Sequence, residues 1–139
     1  MTGRFIGAIA GAGLAGAMAM GALPALADPV GTYSVVGDNP DTGGQYHGTV
    51  EVSRTGDTYK VVWKIGNTTY VGTGLGAVIR DGKFTIGKAE ADDHILSVGY
   101  VSGRSFGMAF YIEQPDGSWQ GVWTYGGSRD VAREEWDPR

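Results

Sequence analysis

The stretch Tyr59-Lys60-Val61-Val62-Trp63-Lys64-Ile65-Gly66 decides the fold class. Tyr59, Val61, Trp63 and Ile65 fall on one side of a period of two, with Lys60 and Lys64 on the other. A strand throws successive side chains to opposite faces, so this pattern is a strand with one buried and one solvated face. The same period recurs downstream. Phe106, Met108, Phe110 and Ile112 alternate with Gly107, Ala109, Tyr111 and Glu113, and Trp119, Gly121, Trp123 and Tyr125 alternate with Gln120, Val122 and Thr124. On this reading the Phe106 side of its strand is the buried one and Tyr111 is exposed.

Turn chemistry separates these runs at short intervals. Thr55-Gly56-Asp57, Gly66-Asn67-Thr68, Ser102-Gly103-Arg104 and Pro115-Asp116-Gly117 mark hairpins, and Asp81-Gly82 is a type I′ signal. Together they predict about eight strands, near 30–37, 45–54, 58–66, 69–79, 83–88, 94–102, 105–114 and 118–125. The segment Asp130 to Trp136 reads as an extended tail rather than a helical turn. Consecutive hairpins make an antiparallel meander, and closing it removes the exposed edges that invite aggregation. The fold expected is therefore all-β, an antiparallel up-and-down β-barrel of about eight strands, with a two-sheet β-sandwich as the alternative. Gly72, Gly74 and Gly76 share one face of a strand and read as a place where the barrel wall curves.

The N-terminus stands apart. Arg4 is followed by an apolar run from Phe5 to Leu23 and by Pro24-Ala25-Leu26-Ala27. A charged start, an apolar stretch and an A-x-A site make a signal peptide over residues 1–27, cut after Ala27. An uncleaved membrane anchor is the alternative. Residues 28–139 form one domain, secreted or periplasmic, with no membrane insertion once the signal is gone. Without Arg4 the chain carries 10 basic and 15 acidic residues, a net charge of −5, which argues against nucleic acid as a partner. It has no cysteine, so packing alone must hold it.

No catalytic constellation emerges. His47 and His94 are the only histidines and read as ordinary strand or loop residues, too few for a zinc site. The loop Asp38-Asn39-Pro40-Asp41-Thr42-Gly43-Gly44 misses the calcium-loop spacing at Pro40 and Thr42 and reads as a turn. The carboxylate pairs Asp92-Asp93, Glu134-Glu135 and Asp38 with Asp41 would suit a hydrolase only if two faced each other across a cleft, and Asp92-Asp93 reads as solvated loop charge. No metal and no cofactor is implied. The richest feature is aromatic, with rings on nearly every strand. In so small a barrel they read first as core filling and second as pocket walls, with Trp63, Trp119, Trp123 and Tyr125 the candidates.

Several motifs point to a family. Gly31-Thr32-Tyr33, Val36-Gly37, Asn39-Pro40-Asp41, Tyr46-His47-Gly48-Thr49-Val50, Asp57-Thr58-Tyr59 and Val62-Trp63-Lys64-Ile65-Gly66, with Gly121-Val122-Trp123 and Glu135-Trp136, resemble small exported bacterial proteins described as fibronectin-binding-like. The stretch from Ala77 to Ser105 departs from that pattern. The general plan is also similar to avidins and short calycins, though without a full biotin-binding set. The resemblance implies a non-catalytic, adhesin-like binding protein, with a protein partner met by exposed residues such as Tyr111 and Trp136. A carrier of a small apolar ligand is the alternative, and a hydrolase using Asp92, Asp93 or Glu135 the remote third.

Overall fold

A computed structural model describes residues 28–139, and the proposed signal peptide and its cleavage site lie outside these residues, apart from the Asp28 end. The described chain is all-β, without helices. Its nine strands are β1 (Gly31–Asp38), β2 (Gln45–Thr55), β3 (Thr58–Ile65), β4 (Thr68–Arg80), β5 (Lys83–Gly87), β6 (Ile95–Ser102), β7 (Ser105–Glu113), β8 (Trp119–Tyr125) and β9 (Ala132–Pro138). Neighbours run antiparallel in the order β3-β2-β1-β9-β8-β7-β6-β4, and β4 pairs back onto β3. The sheet is thus a closed eight-stranded barrel, and the sandwich alternative is not realised.

The eight wall strands are not quite the eight expected from sequence. The run at 83–88 is β5, which pairs only with the far end of β4, from Gly76↔Gly87 to Arg80↔Lys83. It stands on the β3 side of β4, beyond the point where β3 begins, and is exposed along its whole length. The eighth place is taken by the C-terminal segment. Far from being a tail, β9 pairs with β8 and with β1 and closes the wall. Asp81 and Gly82, both at positive φ (50° and 72°), form the expected tight turn between β4 and β5.

The interior is filled by rings. Trp119, Trp136, Tyr59 and Tyr111 are each 1% exposed or less, among Val35, Val50, Val61 and Leu96. Trp136 sits at the centre, its ring 4.0 Å from that of Tyr111 and 6.1 Å from that of Trp63. Tyr111 and Trp136, read from sequence as partner-facing, are therefore core residues. On β7 the buried side is Gly107, Ala109 and Tyr111, while Phe106, Met108, Phe110 and Ile112 point outward at 42–62% exposure. β7 is apolar on both sides, so its period fixes the alternation but not the sense. The choice follows from room inside. A Cβ at Gly107 would strike the Tyr100 hydroxyl and the Thr124 carbonyl, and one at Gly121 would strike the Tyr111 ring. Rings reaching in from neighbouring strands leave space only for the smallest side chains at those places.

Gly72, Gly74 and Gly76 also face inward. A Cβ at Gly72 would lie 2.6 Å from Val98 Cγ1 and 3.1 Å from Trp63 Cζ3, so glycine there makes way for packed side chains. One end of the barrel is closed by residues 88–94, which cross from β5 to β6. Asp93, far from being solvated loop charge, is 3% exposed. Its Oδ2 accepts from the Glu90 amide at 2.9 Å and lies 2.7 Å from the Tyr59 hydroxyl.

The outer surface is two-sided. Across β4, β6, β7 and β8 it carries Val71, Leu75, Val101, Phe106, Phe110 and Val122 with no charged side chain between them. Phe84 and Ile86 of β5 continue it, opposite Ile79 and Ala77. The other half of the wall presents Glu51, Lys60, Lys64, Arg133 and Glu135.

Candidate ligand site

The end of the barrel opposite the 88–94 crossing is open. The loops after β1, β3, β6 and β8 surround a cavity of about 340 Å³. Its walls are Tyr46 on β2, Trp63 on β3, Tyr70 on β4, Tyr100 on β6 and Trp123 and Tyr125 on β8, and its floor is Tyr111 and Glu134. Every one of these sits at an inward position of its strand, so the period of two that builds the core also builds the cup. The rings brace one another edge to face, Trp63 to Tyr100 at 5.8 Å, Tyr70 to Tyr100 at 6.0 Å and Tyr46 to Trp123 at 6.2 Å between centroids. Such tilted contacts are the favoured geometry of aromatic pairs.

Glu134 organises the floor. It is 6% exposed and none of its contacts is with a cation. Oε1 accepts three hydrogen bonds, from Trp63 Nε1 at 2.9 Å, Tyr111 OH at 2.7 Å and Trp136 Nε1 at 2.6 Å. Oε2 accepts a single one, from the Tyr46 hydroxyl. Two of the four donors are indoles, which can only donate, so the arrangement suits a carboxylate acting purely as acceptor. Burial, and then the Glu134 charge, hold the Tyr46 and Tyr111 hydroxyls protonated far above the usual phenol range. The same two causes push Tyr100 up to about 12.

Two further polar features complete the site. At the rim, Asp41 Oδ1 accepts from the Tyr125 hydroxyl at 3.0 Å. The Asp38–Gly44 loop that carries Asp41 is a turn held by its own groups, with Asn39 N donating to Gly44 O at 2.8 Å and Asp41 N to Asn39 Oδ1 at 3.0 Å. In the wall, the Trp123 indole N–H is buried and has no hydrogen-bond partner. A buried donor left unpaired costs free energy.

Of the four proposed pocket walls, Trp63, Trp123 and Tyr125 line the cavity. Trp119 does not. It is 1% exposed and packs against Trp136, 6.4 Å between centroids, deeper in the core. Among the lining residues the sequence did not assign to the pocket are Tyr46, Tyr70, Tyr100 and, above all, Glu134, while Tyr111, read as partner-facing, lies in its floor. The sequence did carry a signal for Glu134, since Ala132, Glu134 and Trp136 share one side of a period of two. Glu134 and Glu135 point to opposite faces of β9, and Asp93 is occupied inside the closed end while Asp92 pairs with Arg80. The carboxylate pairs adjacent in sequence therefore do not face each other across a cleft. Among the described residues no group of three or more His, Cys, Asp and Glu is placed to hold a metal ion, and neither histidine lines the cavity. No protein-family model matches the chain, and no curated protein matches it.

Proposed function

We propose that the chain is an exported, non-catalytic binding protein that takes a small ligand with an apolar, planar body into the open end of its barrel. One observation supports this above the others: a cup of aromatic rings, braced edge to face against one another and open at one end. Cavities of a few hundred Å³ with apolar walls and a few convergent polar groups are the usual form of a small-molecule site. The test is quenching of intrinsic tryptophan fluorescence across a chemically varied panel of aromatic compounds. Saturable quenching is expected, weakened about tenfold or more by Trp123→Ala, whose ring is wall, and little changed by Trp119→Phe, whose ring is core. A flat response to the whole panel would remove the reading.

A second reading, that the chain acts by meeting another protein, is favoured by the uncharged half of the outer wall, and the occupant proposed is a second copy. Five strands about 4.8 Å apart, averaging roughly eight residues at about 3.3 Å, make about 600 Å² of unrolled wall. That approaches the roughly 800 Å² per partner of a standard stable interface. A patch without charge meets its own copy across a two-fold axis with no like-charge repulsion. The charges on the opposite half argue against a membrane-spanning barrel, which needs an apolar band around its full circumference. Sedimentation equilibrium should give a dimer at micromolar concentration, and the double substitution Phe106→Lys with Phe110→Lys should give a folded monomer. A wild-type protein that stays monomeric at high concentration would overturn this interface.

A further inference from the structure

The electrostatics of the cup narrow the ligand further, provided the barrel mouth is the ligand site proposed for it. Its lining contains two carboxylates, Glu134 in the floor and Asp41 at the rim, and no lysine, arginine or histidine. The ion pairs formed among the described residues are Arg54–Asp28, Arg80 with Glu90 and Asp92, and Lys88–Asp57, so neither Glu134 nor Asp41 is neutralised by a cation of its own chain. The four donors to Glu134 are neutral groups. They satisfy hydrogen bonds but leave the charge in place. Trp63, Tyr70, Tyr100 and Trp123 surround the same space, and aromatic rings attract cations through their faces.

Lone-pair counting shows where a ligand group would go. A carboxylate offers about four acceptor sites, two per oxygen. Oε1 receives three donors, more than its two sites, while Oε2 receives one, from Tyr46. One acceptor position therefore remains on the oxygen that Tyr46 contacts. Trp123 packs edge to face on the Tyr46 ring, 6.2 Å between centroids, and its N–H is sealed from the cavity. The cup thus offers a ligand one charged acceptor within an otherwise aromatic enclosure.

We infer that the ligand is an organic cation: a primary or substituted ammonium head on an apolar body of about one or two rings. The ammonium donates to Glu134 Oε2 and is surrounded by aromatic rings, and the apolar body lies against Tyr70 and Tyr100 toward the mouth. An anion of the same shape meets uncompensated carboxylates and aromatic faces, and is rejected.

Three probes of matched body test this by calorimetric titration of the full chain at neutral pH: 2-phenylethylamine, 2-phenylethanol and 3-phenylpropionate. The amine is expected to bind about tenfold more tightly than the alcohol, and the propionate not measurably. Glu134→Gln should remove most of the difference between amine and alcohol. Because that substitution touches four hydrogen bonds of the core, Asp41→Asn at the rim provides the second arm. It should cost the amine about twofold to threefold more than it costs the alcohol. Equal binding of amine and alcohol, or preference for the propionate, would overturn the charge inference while leaving the pocket reading standing. No binding of any of the three would overturn both.

Discussion

At the scale of single residues, the tyrosines carry the most consequence. Burial, the leading cause in each case, pushes Tyr33 and Tyr100 up to about 12, and burial with a neighbouring carboxylate raises Tyr46, Tyr59 and Tyr111. In the unfolded chain these phenols ionise near 10. Below that pH they are neutral in both states and their contribution to stability is intact. Between about 10 and the folded values, the unfolded chain sheds protons that the native barrel keeps, so stability falls as pH rises. Denaturant midpoints should therefore decline from about pH 10 upward, with tyrosinate absorbance appearing together with loss of the folded signal. Smooth titration of all 7 tyrosines near pH 10 in an intact barrel would contradict the buried placement. Glu134 shows how far single residues were legible. Its adjacency to Glu135 drew attention to a pair, whereas its neighbours two places away, Ala132 and Trp136, tell which way it faces.

At the scale of elements, alternation and turn signals place seven of the eight wall strands but leave the sense of β7 undecided, because Phe106, Met108, Phe110 and Ile112 are as apolar as any core. The deciding information lies across the sheet, in the rings that Gly107 and Gly121 must clear. Gly121→Ala would press a methyl group onto the Tyr111 ring and the Phe110 carbonyl, and should cost about 1–3 kcal/mol in thermal or urea denaturation. Gly99, on β6, faces open space within 4 Å, and Gly99→Ala should stay within about 0.5 kcal/mol of wild type. Equal effects at the two positions would mean that the interior of β7 and β8 is looser than these close approaches require. The turn at Asp81-Gly82 was readable from its dipeptide, but β5, its downstream strand, was not recognisable as a flap. Local chemistry marks a hairpin without saying whether its second strand will find a neighbour on the far side. The end of the chain had the converse problem: Ala132-Arg133-Glu134-Glu135-Trp136 is too polar to announce a wall strand, since one of its inward residues is a carboxylate.

At the scale of the whole molecule, barrel closure was legible from even turn spacing and the absence of cysteine, because a chain without staples gains most by leaving no wall edge unpaired. The asymmetry of the outer wall was not, since it depends on which strands lie side by side, and the mouth of the barrel was legible only as a richness in rings. The pairing of β1 with β9 has a kinetic side as well. It joins Tyr33 to Pro138 and Gly37 to Glu134, almost the full length of the folded chain apart. Contacts so distant in sequence bear a large loop-closure entropy before they give anything back, and they form late. Glu134 arrives with that last strand, bringing the acceptor on which Tyr46, Trp63 and Tyr111 converge. Until the seam shuts, the floor of the cup lacks its carboxylate. A compound that binds there would therefore serve as a clock for folding, silent through collapse and hairpin formation and reporting only the moment the circle is complete.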